Sequence, residues 1–444
     1  MRKFTPIMRA PFFSKILMAT FVLVAAAQGV QAQRFLSEYD STLFLRDTLP
    51  NVVGRLKNLH FSGYMQPQYQ VASEEGIDSW AGGDFAEHSD NRFMLRRARL
   101  KVDYRLPSSG KRLPKALFSF QIDATERSVK VRDMFVKVFD PGKQNFSLTT
   151  GLFAKPFGFE VNLSSSVRET PERGRMSQIL IPSERGLGVM VSYESAKAKK
   201  ERVHLKWDLG VFNGTGLSGP EEFDSFKDIA SRLSLRSIPV AQSFELSAGL
   251  SFLYGGWRQQ NATRYEMGTL NGNKYFVENT ASGNIGSNAP RHYYGADLQL
   301  GKKHLWGKTE VRGEYWSGTQ PGTSASTVNP GTLPLGPMYI RNFDGAFFYL
   351  LQNIVNEKWQ LVVKYDWYDP NTEVEQEEIG KAGTNLTAAD IKFNTLGMGV
   401  TRYINENLKL VLYYDRVWNE KTLLPDYTND IKDNVFTCRL QMSF

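Results

Sequence analysis

Lys155, Arg168, Arg173 and Arg175 lie in one stretch, GLFAKPFGFE and its continuation VNLSSSVRETPERGRMSQILIPSERG, that keeps no regular hydrophobic period. Ammonium and guanidinium groups offer several charged donors each, so cations gathered at this density can attract or hold an oxyanion. An enzyme lid, a phosphate-cradling loop and a pore constriction would all use such a stretch.

Two further segments concentrate positive charge. In RFMLRRARLKVDYR, Met94, Ala98, Leu100, Val102 and Tyr104 share one parity, which puts Arg97, Arg99, Lys101 and Arg105 on the opposite face; Arg96 has the wrong parity and is expected at a rim or bulge. VKVRDMFVKVF adds Lys130 and Arg132.

Other chemistry finds less support. NGTGLSG spaces Gly214, Gly216 and Gly219 as in a dinucleotide-binding turn, but an alternating apolar segment follows it where that motif needs a helix. His60, His88, His204, His292 and His304 lack metal-ligand spacing. DPNTEVEQEE (369–378) reads as a solvated acidic loop, with Ca²⁺ binding or bridging to surface lipopolysaccharide as its alternative roles. No G-x-S-x-G nucleophile motif is present.

The chain that positions these residues begins with Arg2, Lys3, Arg9 and Lys15, then the apolar ILMATFVLVAAA, then VQA. That order is a secretory signal peptide over residues 1–32, cut after Ala32. Residues 33–57 are expected as an N-terminal periplasmic segment and 58–444 as one domain. Without the leader, 50 basic residues face 46 acidic ones, a net charge of +4 that demands no nucleic-acid partner. Cys438 is the only cysteine, so no internal disulfide forms.

Apolar and polar residues alternate in segments of about ten, the length of a membrane-crossing strand and longer than the usual soluble one. Val203, Leu205, Trp207, Leu209 and Val211 oppose His204, Lys206, Asp208 and Gly210. Trp359, Leu361, Val363, Tyr365 and Trp367 oppose Gln360, Val362, Lys364 and Asp366. About sixteen such segments start near 59, 92, 116, 129, 146, 186, 202, 226, 244, 292, 305, 343, 358, 393, 407 and 434, an even number as single-chain bacterial barrels have. Connections alternate long and short, the sorting expected of external loops and periplasmic turns. The last segment, VFTCRLQMSF, must pair with the first so that no backbone edge stays open in lipid. Trp316, Trp359, Trp367, Tyr368 and Trp418 are candidates for interfacial girdles. The fold class is therefore all-β, a transmembrane antiparallel barrel in the outer membrane of a Gram-negative cell, in contact with its lipid and lipopolysaccharide.

RRARLKVDYR, the FQIDA…VRDMFVKV pair and TTGLFAKPFGFEVNLSSSVRETPERGRMSQILIPSERGLGVMVSY together resemble the phosphate-selective porin O and P family. The matching positions are Gly151, Phe153, Lys155, Pro156 and Phe157, the serines 164–166, Glu172 and Arg173, and 185–189. The resemblance implies a barrel of about 16 strands, commonly a homotrimer, whose third external loop folds inward around an anion-attracting constriction. A terminal Phe444 resembles the signal read by the barrel assembly machinery. The expected function is passive diffusion of small anions, phosphate among the candidates, past Lys155, Arg168, Arg173, Arg175, Arg97, Arg99, Lys101, Lys130 and Arg132, with no cofactor and no reaction. Two other readings are a closed structural or adhesive barrel and a barrel hydrolase. Asp103, Asp208, Glu310, Glu314 and Asp366 share the inward parity and weigh against strict phosphate selectivity.

Overall fold

The structure is a computed structural model that describes residues 57–111, 113–195, 204–214, 216–217, 221–241, 243–270 and 272–444. The proposed leader and nearly all of the 33–57 segment lie outside these residues, as does Gly219. Residues 1–59 and 60–444 are separate units, and the barrel belongs to the second.

Eighteen strands form among the described residues. The first nine are β1 (Leu59–Ala72), β2 (Asn91–Leu106), β3 (Ala116–Ala124), β4 (Val129–Phe139), β5 (Phe146–Ala154), β6 (Arg185–Glu194), β7 (His204–Asn213), β8 (Lys227–Ala241) and β9 (Phe244–Arg258). Next come a hairpin, β10 (Thr263–Leu270) and β11 (Asn273–Thr280), then β12 (Asn288–His304), β13 (Gly307–Gly322) and β14 (Met338–Ile354). The series ends with β15 (Asn356–Asp369), β16 (Phe393–Tyr403), β17 (Leu408–Asn419) and β18 (Val435–Ser443). Among the described residues the one α-helix, α1 (Arg175–Leu180), sits between β5 and β6.

β9 pairs directly with β12, so β10 and β11 stand outside the barrel and sixteen strands make its wall. β18 closes on β1 antiparallel, with Met65 opposite Met442 and Tyr69 opposite Cys438. Backbone bonds Gly63 N to Phe444 O (3.1 Å) and Phe444 N to Gly63 O (3.0 Å) continue the seam to the last residue. A closed wall leaves every backbone group in the strands a partner, which a lipid environment requires.

Burial is inverted relative to a water-soluble barrel. Leu250, Phe252, Leu298, Val311, Leu350 and Met398 are exposed on the outside. On the opposite parity Ser119, Thr149, Asp208, Arg312, Lys364 and Thr437 are buried. The segment 359–367 behaves as its pattern predicts: Trp359 and Tyr365 are exposed, Lys364 and Asp366 buried. Connections 155–184, 259–287 and 370–392 crowd one end, while 140–145, 305–306, Val355 and 404–407 turn tightly at the other.

The hairpin was not expected from the alternation, although Asn271-Gly272 is a strong hairpin turn signal. It folds toward β14, pairing Arg264 with Met338 and Tyr265 with Tyr339. Phe276 then packs with Tyr339, Val374, Ile379, Leu386 and Ile391, knitting the long connections together. Two proposed girdle residues face inward instead: Trp316 is fully buried and Tyr368 nearly so, because the interior holds an apolar cluster that the alternation alone could not reveal.

Candidate functional site: the inward loop and its charged wall

Residues 155–184 leave β5 and cross the interior, and they bond to strands on several sides of it. Two glycines in the motif that opens the loop permit this path. Gly151 has φ +119°, and a Cβ there would lie 2.4 Å from the Met134 carbonyl oxygen. Gly158 has φ +69°, and a Cβ would lie 2.6 Å from a Glu314 carboxylate oxygen. Only glycine tolerates such backbone angles with so close an approach.

The first anchor is aromatic and polar together. Phe157 is fully buried and meets Trp316 edge-on, ring centroids 4.8 Å apart. Val161, Met176, Ile179, Leu180 and Ile181 join it against Leu253, Tyr293, Phe343 and Tyr368. Glu314 of β13 accepts from the backbone N–H groups of Phe159 (2.8 Å) and Glu160 (2.9 Å). The Glu160 carboxylate accepts from Gly174 N (3.0 Å), Ser177 Oγ (2.6 Å) and Tyr349 Oη (2.7 Å), which ties the start of α1 to both the loop and β14.

The second anchor lies near the barrel seam. Ser165 Oγ meets Tyr64 Oη at 2.6 Å and accepts from Arg99 Nη1 at 2.8 Å, while its carbonyl accepts from Gln66 Nε2 at 2.9 Å. Lys409 Nζ donates to the carbonyls of Ser166 (3.0 Å) and Arg168 (3.1 Å). Glu169 takes both Arg312 terminal nitrogens at 2.9 Å. Glu172 is gripped by Arg96, Arg97 and Arg439.

The sequence-predicted cations occupy these positions, but not as one free cluster. Lys155 pairs with Asp228 of β8 at 2.8 Å, and Arg291 of β12 binds the same carboxylate. Arg173 pairs with Glu184 (3.5 Å) and donates to the carbonyls of Ser177 (3.0 Å) and Ile181 (3.1 Å). Arg175 meets Asp433 at 3.3 Å and stacks over Phe393. Arg99 pairs with Asp123, Lys101 with Asp103 and Arg132 with Glu184. Lys130 is exposed near the 125–128 turn, apart from the loop. Arg168 is the exception: it is 3% exposed, donates to the Leu163 carbonyl (3.2 Å), and its Nε is unpartnered.

The loop itself carries four bases, Lys155, Arg168, Arg173 and Arg175, and four acids, Glu160, Glu169, Glu172 and Glu184. Its net charge is therefore zero. Burial alone would raise the Glu172 carboxyl, but Arg96, Arg97 and Arg439 hold it well below the usual range. Arg173, Arg132 and Arg185 do the same for Glu184 against the same opposing burial. Both are therefore ionised at neutral pH.

β2 also departs from simple parity. Arg92 bonds Gln70, Met94 Sδ accepts from Gln68, and Arg96 bonds Glu172, so all three face inward before Arg97 and Arg99 take over that side. Met94 was expected to face lipid; the change of parity between Arg96 and Arg97 turns it in. Arg439 lies on the polar face of its alternating segment and Lys409 on β17, but nothing local marked either as the partner of a loop more than 200 positions away.

Open space flanks the loop. At the short-turn end a cavity of about 510 Å³ is lined by Tyr64, Lys101, Gln121, Ser166, Lys409 and Gln441. Another of about 260 Å³ lies between Phe159, Leu163, Arg232 and Gln299.

No protein-family model and no curated protein matches the chain. Solved structures do. The outer membrane channel DcaP of Acinetobacter baumannii aligns with a TM-score of 0.54 at 12% identity, over 87% of this chain and 97% of that one. The anion-selective porin from Comamonas acidovorans aligns at 0.49 and 10%, over 87% and 99%. Salmonella typhi OmpF in complex with daunomycin gives 0.49 and 10%, over 87% and 97%. The likeness to DcaP is one of fold: with the closed sixteen-stranded wall it makes this chain a closed antiparallel β-barrel of the same architecture.

Proposed function

We propose that the chain is an outer-membrane porin through which small hydrophilic solutes diffuse passively, anions preferentially. One observation carries this reading: an apolar exterior encloses a charged interior crossed by a folded loop, one carboxylate of which, Glu172, faces three arginines of the wall. Among the described residues Arg96, Arg97 and Arg439 form ion pairs with a single carboxylate, and Arg168 forms none within 4 Å, so positive charge is in excess along the seam side. Such a wall raises local anion concentration and offers weak sites that still release their ion. Phosphate is one candidate solute among several. On this reading residues 1–32 direct export, the Phe444 strand is read by the assembly machinery, and the barrel resides in the outer membrane as a homotrimer.

The test is reversal potential in planar bilayers under a KCl gradient. A shift toward the chloride equilibrium potential is expected. Cation selectivity overturns the anion preference, and absence of conductance by folded protein overturns the pore.

A second reading, a closed structural or adhesive barrel, draws on the packing of the long connections around Phe276, Tyr339 and Ile379. Folded but non-conducting protein would favour it. For a hydrolase the contacts are unfavourable: His204 meets Glu194, His292 stacks on Tyr254, and His304 meets Trp306 and Thr309.

A further inference from the structure

The cavity of about 260 Å³ between the loop and strands β8, β9 and β12 has a chemistry of its own. Among its described lining residues Arg232 is the one that carries charge, and that charge is cancelled. Arg232 Nη1 (2.6 Å) and Nη2 (2.9 Å) donate to the two oxygens of Asp297 on β12. Gln299 Nε2 donates to the same carboxylate at 2.6 Å, and Ser251 Oγ accepts from Arg232 Nη1 at 3.0 Å. The pair packs onto the wall at Gly249, where a Cβ would stand 2.4 Å from Arg232 Nη2 and 2.5 Å from Asp297 Oδ2.

The loop side of the cavity is apolar. Phe159 and Leu163 both line it and both are half-buried, in a stretch turned by the bonds Asn162 N to Phe159 O and Leu163 N to Glu160 O, each 3.2 Å. By contrast Phe157, Val161, Met176 and Leu180 of the same loop are at most 1% exposed. Asn162 is exposed between the two apolar residues. Its amide nitrogen is committed to the carbonyls of Phe157 and Gly158 (2.9 Å each), which leaves Oδ1 as an acceptor.

We propose that this cavity is a subsite for one neutral pyranose ring on the permeation path, so that the pore carries uncharged monosaccharides as well as small anions. A pyranose has C–H groups on its ring faces and hydroxyls around its edge. Its C–H face suits Phe159 and Leu163, because an aromatic face carries negative potential and covering apolar surface is favourable. Its hydroxyls suit the hydroxyl and amide groups of Ser234, Gln299 and Asn162. An oxyanion is less well matched, since Arg232 is already neutralised and Asp297 adds a negative charge beside it. The volume is just below the ~300 Å³ at which pockets for drug-sized ligands begin, which suits a single ring. Contacts this few hold the ring weakly enough to release it, as conduction requires.

The inference rests on the pore reading, and the experiment separates the two. Initial uptake of radiolabelled glucose and of sorbitol, its acyclic counterpart without a ring face, is measured at low concentration in proteoliposomes of wild type, Phe159→Ser and Leu163→Ser. Chloride conductance is recorded for the same preparations, and folding is checked by heat-modifiable gel mobility. Wild type is expected to take up glucose about threefold faster than sorbitol, with a glucose rate that saturates. Each variant is expected to bring the two rates together while still conducting chloride. Folded variants that keep the wild-type ratio overturn the site and leave Phe159 and Leu163 as packing for the loop. If neither variant folds, wild type decides: equal rates, or a glucose rate that never saturates, overturn the site. Chloride conductance without preference for glucose leaves the pore reading standing and removes the sugar subsite. No conductance by folded wild type overturns the pore reading, and the subsite with it.

Discussion

Lys155 and Asp228 form a buried ion pair, Nζ to Oδ2 2.8 Å, at the point where the inward loop leaves β5. Arg291 binds the same carboxylate from β12, so one aspartate on β8 fastens the loop base to the wall. The lysine side chain is thereby buried and occupied by the wall. Burial lowers the Lys155 ammonium and Asp228 opposes that shift, so the pair is tightly interdependent. Replacing one partner of a buried pair commonly costs about 3–5 kcal/mol, but Arg291 remains to neutralise Asp228 here. Lys155→Met is therefore expected to cost roughly 2–3 kcal/mol in a urea folding titration, with little change in reversal potential. A large loss of anion selectivity at unchanged stability would show Lys155 to be a solute contact after all.

The pH dependence follows from Asp433, in the connection before β18. Burial raises its carboxyl to about 6, against the pull of Arg175 and with Asp430 adding to the rise. Because the folded value exceeds the unfolded one, lowering the pH from 7 toward 4 lets the folded state take up the proton first. Stability gained over that window is on the order of 2–3 kcal/mol. Glu172 and Glu184 act in the opposite sense, since their folded values are depressed; the stability they supply is lost as the pH falls below about 4.5. Protonating Asp433 also leaves Arg175 without its counter-charge. Anion preference should rise between pH 7.5 and pH 5, and Asp433→Asn should flatten that change; equal slopes in the two proteins would remove Asp433 as the cause.

Leu250 tests which side of the wall meets lipid. It lies mid-strand in β9, 62% exposed, opposite Leu233 and Ala296. An arginine on the lipid face near the bilayer midplane costs roughly 2–4 kcal/mol, whereas on a watery surface it costs almost nothing. Leu250→Arg should therefore lower folding stability in phospholipid vesicles by that amount. A loss well under about 1 kcal/mol would place this face in water.

Most of the wall was legible because a strand's side chains alternate, and the alternation is strict where one face meets lipid. The expected starts near 116, 129, 146 and 393 coincide with β3, β4, β5 and β16. β14 begins at Met338, before the expected 343, because the strand runs on into the packed long connections where Met338 and Tyr339 are buried and the alternation is lost. The site was less legible for a different reason. Charge pairs two positions apart on one face, such as Lys364 with Asp366, can be read locally. Lys155 with Asp228, or Glu172 with Arg439, depends on how a loop crosses the interior, which no local period encodes. The cations themselves were therefore legible, and their neutralising partners were not.

Trp316 gives the most direct test of the loop as a constriction. Its ring is fully buried against Phe157, and its Nε1 donates to Glu314 Oε1 at 2.7 Å, the carboxylate that also receives the loop backbone. Truncating a buried aromatic costs about 3–5 kcal/mol, and here the void would open beneath the loop base. Phe157 would lose its seat and Glu314 one of its donors, so residues 157–160 would no longer be fixed to β13. Trp316→Ala should lower folding stability by that range and raise single-channel conductance as the loop loses its seat. Trp306, 52% exposed at the 305–306 turn, serves as the comparison, since its truncation leaves the interior untouched. Trp316→Ala with reduced stability but wild-type conductance would mean that the first anchor holds the fold together without limiting the passage.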